Sequence, residues 1–208
     1  MEIAKQILSY NGDDESKINL LNEKYNELIE LINEKIVNNI ANIEGFFIIL
    51  NNNRINGKIN FSNKFYDLII YIFTKAQDLL LKNENKRIQD FIFILSQAYY
   101  KEVGKKKIYI LEDIKSHELY KSKDFWKKKI MTTIEDGFKK IRKLNSSNKI
   151  NQEKKEEIIC NNLFIFSVLM KKFDYNKDII IELVNQIFDR CKCGENCRKQ
   201  VLIFINQN

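Results

Sequence analysis

The sequence contains no proline and only six glycines in 208 residues, so few residues in it interrupt helices. It contains one histidine and four cysteines, which leaves few side chains for a metal site or for acid–base catalysis. Its longest apolar runs, such as 68–73 and 91–95, contain five or six residues. A membrane-spanning helix needs about 20, so no transmembrane segment is predicted.

The N-terminal stretch MEIAKQILSYNGDDES is polar and becomes acidic at Asp13, unlike a secretory signal. We therefore expect a cytoplasmic protein, with any membrane contact peripheral. Met1 and the hydrophilic end at Asn208 suggest a complete short chain.

Apolar residues recur at steps of three and four in nearly every segment of the chain, which is the spacing of amphipathic helices. A hydrophobic content of 44% is enough to build a core in one domain of this length. We therefore predict an all-α fold in a single helical domain, 1–208. It would be an irregular helical-hairpin bundle or a HEAT-like helical repeat. The polar segment 145–151 is its natural hinge.

Polar caps and breaks predict where the helices begin and end. Asp14–Ser16 and Ser62 have N-cap chemistry, and 83–85 interrupts a pair of antiparallel helices. Gly104 and the lysines after it precede an apolar run that is too short to show a period. An extended connecting segment is therefore predicted near 103–112. The other predicted helices are 16–38, 41–50, 125–144, 153–170, 179–191 and 197–205.

The positive charge is concentrated in one quarter of the chain. Residues 101–149 contain 15 Lys or Arg and 7 Asp or Glu, whereas the rest of the sequence contains 20 and 21. A solvated lysine-rich helix face is the simplest interpretation. The same charge would also attract an acidic protein surface, an anionic membrane or, less favourably, nucleic acid. The residues predicted to bind an acidic partner are Lys105, Lys106, Lys107, Tyr109, Lys127, Lys128 and Lys129.

The residues that most often carry chemistry do not form a recognisable site in this sequence. Cys191, Cys193 and Cys197 provide one metal-binding hook, whereas a zinc site needs four ligands. We predict reduced thiols in a turn between helices, and no metal. His117 is accompanied by no nucleophile motif and no paired carboxylates, and no phosphate-binding glycine pattern is present. Neither an enzyme nor a bound cofactor is predicted.

The segment Phe91–Trp126 contains SQ-x-YY, a turn rich in Gly and Lys, Y-I-L-x-x-I-x-x-H, and an F-W pair. This order resembles the set-binding-factor domain, which is found in myotubularin-related trafficking pseudophosphatases and in smaller stand-alone proteins. Tyr120 stands where members of that family usually have a Trp. The resemblance implies a non-enzymatic helical scaffold or adaptor that binds proteins in membrane trafficking, small-GTPase regulation or cytoskeletal signalling.

The helical hairpins and the local positive charge also support a second hypothesis. They are typical of an RNA-associated helical-repeat domain that resembles the middle domain of translation-initiation scaffolds. Lysine carries most of the charge, and arginine is the residue better suited to bidentate contacts with phosphate. For this reason we prefer the protein-binding hypothesis.

Overall fold

The computed structural model describes residues 2–12, 14–57, 60–144 and 150–207. Within these ranges the chain forms eleven α-helices, one π-helical segment and three short β-strands, which confirms the predicted all-α class. The chain divides into two compact units, Met1–Leu119 and Tyr120–Asn208. The hinge predicted at 145–151 falls mostly on 145–149, which lie outside the described residues. That the whole chain folds as one domain stays a prediction.

The first unit is built mainly from helices that begin at polar caps. Asp14, Asn39 and Asn85 each accept a hydrogen bond from a backbone N–H of the helix that follows. Ser62 also occupies a cap position, as predicted, but its hydroxyl makes no capping bond. The helices are α1 (Glu2–Ser9), α2 (Glu15–Ile32), α3 (Ile40–Ile55), α4 (Asn63–Lys82) and α5 (Lys86–Ser96), and a π-helical segment, Asn33–Val37, continues α2.

The segment predicted to be extended near 103–112 is more ordered than expected. Three strands, β1 (Asn60–Phe61), β2 (Tyr100–Val103) and β3 (Lys106–Tyr109), form a sheet in the order β1-β2-β3. β1 is parallel to β2, and β3 is antiparallel to it. The helices α6 (Ile110–Ile114) and α7 (Glu118–Lys121) follow the hairpin.

Aromatic side chains hold the helices and the sheet of the first unit together. Tyr99 is fully buried, and its ring stacks on that of Phe61 with the centroids 4.6 Å apart. The Tyr99 hydroxyl donates to the Leu50 carbonyl oxygen at 2.5 Å. The rings of Phe47 in α3 and Phe73 in α4 pack with their centroids 4.8 Å apart. Tyr99, which directly precedes the hairpin, is therefore part of the core that the helices share.

The described residues of the second unit form four long helices after the end of α7. Trp126 is buried, as its helical spacing predicts, and its indole N–H donates to the Tyr120 carbonyl oxygen at 2.8 Å. The centroid of the Phe173 ring lies 4.3 Å from that of Tyr120 and 5.4 Å from that of Trp126, so an aromatic cluster joins the start of the first long helix to the end of the second. The helices are α8 (Lys123–Leu144), α9 (Gln152–Lys172), α10 (Lys177–Cys191) and α11 (Glu195–Gln207).

Gly104 is the residue on which the tight turn of the hairpin depends, because its φ is +63°. We expect Gly104→Ala to lower the free energy of unfolding by about 1–2 kcal/mol, the usual cost of a Cβ in the left-handed region. The strain is conformational, since apart from the two adjacent residues no heavy atom of the described residues lies within 4 Å of the Cβ position. Urea unfolding followed by circular dichroism measures the effect.

Gly45 is the matched control, because it lies inside α3 and a Cβ there also meets nothing within 4 Å. Gly45→Ala should raise the free energy of unfolding by about 0.5–1 kcal/mol, since alanine loses less backbone freedom in a helix. A Gly104→Ala variant that is as stable as the wild type, or more stable, would contradict the assigned turn.

Candidate functional site

The hairpin formed by β2 and β3 presents three of the predicted binding residues at its tip. Val103 pairs with Lys106 across the two-residue loop Gly104–Lys105. A glycine with positive φ at the first loop position is the signature of a type II′ turn, whose twist suits a hairpin. Lys105, Lys106 and Lys107 are all exposed. No carboxylate in the described part of the chain forms an ion pair with Lys105 or Lys106.

One face of the hairpin combines a lysine with two tyrosines. Tyr100 lies opposite Tyr109 and Glu102 lies opposite Lys107, so these four side chains share a face. The two tyrosine rings are 5.6 Å apart, and the Lys107 ammonium lies 4.3 Å from the centroid of the Tyr100 ring. A hydrogen bond to Tyr100 is the main cause that raises the pKa of Lys107 above its ordinary value. Tyr109 is 36% exposed beside this charge.

On the opposite face of the hairpin, Lys101 already forms an ion pair. Lys101 Nζ lies 3.3 Å from Asp67 Oδ1 and 4.4 Å from the centroid of the Tyr66 ring. Tyr66 donates to Asp113 Oδ2 at 2.6 Å, and burial raises the pKa of its hydroxyl. Lys105 and Lys106, which have no ion pair within the described residues, therefore concentrate the uncompensated positive charge of the hairpin at its tip.

The other predicted lysines lie on α8, in the second unit. Lys128 is exposed, whereas Lys127 is half-buried and donates to Gln186 Oε1 at 3.1 Å. Lys129 is only 4% exposed, so it cannot belong to a binding surface. The reason is its position three residues after Trp126, which places it on the buried face of the helix. The structure thus groups Lys105, Lys106, Lys107 and Tyr109 on one hairpin and leaves Lys127 and Lys128 in a different unit.

Both ring nitrogens of His117 make hydrogen bonds within the first unit. Nδ1 accepts the backbone N–H of Leu119 at 3.2 Å, so the proton lies on Nε2, which is 3.1 Å from Asp78 Oδ1. The side chain of His117 is 13% exposed. These two hydrogen bonds connect α4 to the start of α7, and they indicate a structural role for His117.

The cysteines are arranged differently from the prediction. Cys160 in α9 and Cys197 in α11 form a disulfide, with their Cα atoms 6.1 Å apart, so the prediction of reduced thiols was wrong for Cys197. Cys191 and Cys193 are free and half-buried. Burial raises the pKa of the Cys193 thiol to about 11 and also raises the pKa of Cys191. Both thiols are protonated at neutral pH, which weakens them as metal ligands and as nucleophiles.

No three His, Cys, Asp or Glu side chains among the described residues are grouped so as to hold a metal ion. The second unit does contain an open cleft of about 530 Å³ between α9, α10 and α11. Its walls include the apolar side chains of Val168, Ile180 and Phe204. Lys177, which also lines it, donates to the Asn206 carbonyl oxygen at 3.0 Å and so stabilises the end of α11.

No family model, curated protein or solved structure matches this chain. Among the described residues, no helix combines the length and the apolar character that a membrane crossing requires.

The disulfide between Cys160 and Cys197 closes a loop across a sequence separation of 37 residues. We expect Cys160→Ser to lower the free energy of unfolding by roughly 2–4 kcal/mol without reductant, because the unfolded chain gains conformational freedom. Cys191→Ser, which removes a free thiol, should have a much smaller effect. Urea unfolding with and without dithiothreitol measures both. A wild-type chain that is insensitive to dithiothreitol would contradict the pairing.

We expect His117→Ala to lower the free energy of unfolding by about 1–2 kcal/mol, because it leaves the Leu119 N–H without its acceptor. Asp78→Asn is the control, since the amide oxygen can still accept the Nε2 proton. Its effect should be smaller in the same unfolding measurement. Equal losses in the two variants would show that the charge of Asp78 is what stabilises this contact.

Proposed function

We propose that the chain is a non-enzymatic helical scaffold or adaptor, and that the hairpin of its first unit binds an acidic segment of a partner protein. The single observation that carries this proposal is the hairpin tip. There, Lys105, Lys106 and Lys107 are exposed together beside Tyr109, while the nearby Lys101 is compensated by Asp67. An exposed, lysine-rich hairpin tip with an adjacent aromatic ring suits recognition of carboxylates.

The placement of the aromatic residues favours a protein partner over RNA. Single-stranded RNA is bound by exposed aromatic rings on which bases stack. Trp126, Tyr120 and Tyr100 are all at least nine-tenths buried, Phe125 is half-buried, and Tyr109 is the exposed ring of this group. The RNA-associated function remains the alternative outcome of the experiment below.

The biological setting of the proposal comes from the resemblance of Phe91–Trp126 to the set-binding-factor domain. We propose membrane trafficking, small-GTPase regulation or cytoskeletal signalling, in the cytoplasm and with any membrane contact peripheral. The Cys160–Cys197 disulfide opposes the cytoplasmic part of this proposal, because disulfides are rare in reducing compartments. Alkylating free thiols at the moment of lysis, followed by mass spectrometry, determines whether the bond exists in cells.

The proposal predicts that charge reversal at the tip removes partner proteins without unfolding the chain. Lys105→Glu combined with Lys106→Glu should lose the proteins that the wild-type chain captures from its own cell lysate. The matched control is Lys140→Glu combined with Lys199→Glu. It makes the same change in net charge at two exposed lysines of the second unit. This control should retain the wild-type partners.

Each capture is performed with and without nuclease, and the retained proteins and RNA are identified. Partners that resist nuclease, carry acidic segments and are lost only from the tip variant support the proposal. Recovery that disappears with nuclease would replace it with the RNA-associated function. Equal recovery by the tip variant and the control would show that the hairpin is not the binding surface.

A further inference from the structure

The two outer edges of the small sheet differ in how their backbone groups are satisfied. At the β1 edge, Asn11 Nδ2 donates to the Asn60 carbonyl oxygen at 3.2 Å. Asn11 Oδ1 accepts the Ser62 N–H at 3.1 Å. A single side-chain amide therefore covers this edge in the way that a neighbouring strand would.

The β3 edge has no such cover among the described residues. Its geometry follows from the register, because hydrogen-bonded and non-hydrogen-bonded pairs alternate along an antiparallel ladder. The Ile110 N–H donates to the Tyr99 carbonyl oxygen at 3.1 Å, so the pair that contains Ile110 is hydrogen-bonded. Because the pairs alternate, the backbone groups of Ile108 and Lys106 also bond to β2. The N–H groups of Lys107 and Tyr109 point away from the sheet.

A strand edge with unpaired backbone groups can pair with another strand. The side chains along the edge determine which strand binds there. A second copy of this edge would bring Lys105, Lys106 and Lys107 against the same three lysines, which the like charges oppose. An extended segment with carboxylates would instead be attracted. The outward backbone groups of Lys107 and Tyr109 lie beside the exposed lysines of the hairpin tip, Lys105, Lys106 and Lys107, so hydrogen bonding and charge select the same partner.

The geometry points to strand addition: an extended, acidic segment of a partner protein pairs with the outer edge of β3 through the backbone of Lys107 and Tyr109. This inference rests on the proposed function and specifies how the hairpin binds. Main-chain hydrogen bonds provide a sequence-independent part of the affinity, and the lysines provide the selection for acidic side chains.

Two substitutions at Tyr109 distinguish the contribution of its backbone N–H to binding from that of its side chain. Tyr109 has φ of −82°, close to the value that proline requires, and the strand register directs its N–H away from β2, where it has no hydrogen-bond partner among the described residues. Tyr109→Pro therefore removes an outward donor, whereas Tyr109→Ala removes the same ring and keeps the donor. We expect the proline variant to bind about tenfold more weakly than the alanine variant, through the lost hydrogen bond and the blocked edge.

The probe is a fluorescent peptide of five Glu-Val repeats, and the control peptide replaces Glu with Lys. Anisotropy measures the affinities, and hydrogen exchange measured by NMR follows individual amides. In the free protein, the amides of Lys107 and Tyr109 should exchange faster than those of Lys106 and Ile108. Binding of the acidic peptide should protect Lys107 and Tyr109. Unchanged protection of Lys106 and Ile108 in the proline variant would show that its hairpin is intact.

The outcomes separate this inference from the proposed function. Binding of the acidic peptide with protection of the outward amides supports strand addition. Equal affinity of the two Tyr109 variants, with no new protection, would overturn strand addition and leave charge-based binding in place. If the peptide does not bind while the lysate capture succeeds, strand addition is wrong. If both fail, the proposed function itself is wrong.

Discussion

The burial of Tyr99 is the constraint that fixes the hairpin to the helical core. Its ring stacks on Phe61 of β1, its hydroxyl donates to Leu50 of α3, and its carbonyl oxygen accepts the Ile110 N–H. Burial raises the pKa of the phenol, so it remains a donor at physiological pH. A buried hydroxyl without a partner would cost about 1–3 kcal/mol, which makes this position sensitive to the fit of α3. The base of the hairpin is held at three points, and the charged tip projects from it.

Much of the helical structure could be predicted because the chain has few alternatives to helix. With no proline and few glycines, the helix ends depend on polar caps, and Asp14 and the Asn83–Asn85 break were recognisable for that reason. Where no glycine was present to end α10, Lys192 adopts the left-handed conformation at the C-cap, with φ of +51°. This C-cap could not be predicted, because nothing in the sequence distinguishes a lysine at a C-cap from other lysines.

The features that could not be predicted depend on contacts between distant residues. β2 and β3 contain four residues each, which is too short for a period-two pattern to be separated from the lysine-rich turn. The disulfide requires α9 and α11 to lie side by side, and the spacing of the cysteines does not contain that information. The burial of Lys129 was missed because a run of three lysines suggests a solvated face. The rotation of α8, set by Trp126, places the last of them inside.

The structure also changes how the positive charge of the segment 101–149 is interpreted. Its excess of positive charge is spread along the sequence, but several of its lysines are compensated locally, as Lys101 is by Asp67, Lys115 by Glu112 and Lys123 by Glu182. Exposed pairs of this kind contribute little stability, yet each one removes a charge from long-range attraction. What remains at the hairpin is a small number of lysines on a strand whose outer backbone is open. Net charge alone would suggest a diffuse polyanion-binding surface, whereas the ion pairs and the strand register confine the exposed lysines of the hairpin to its tip and one short strand.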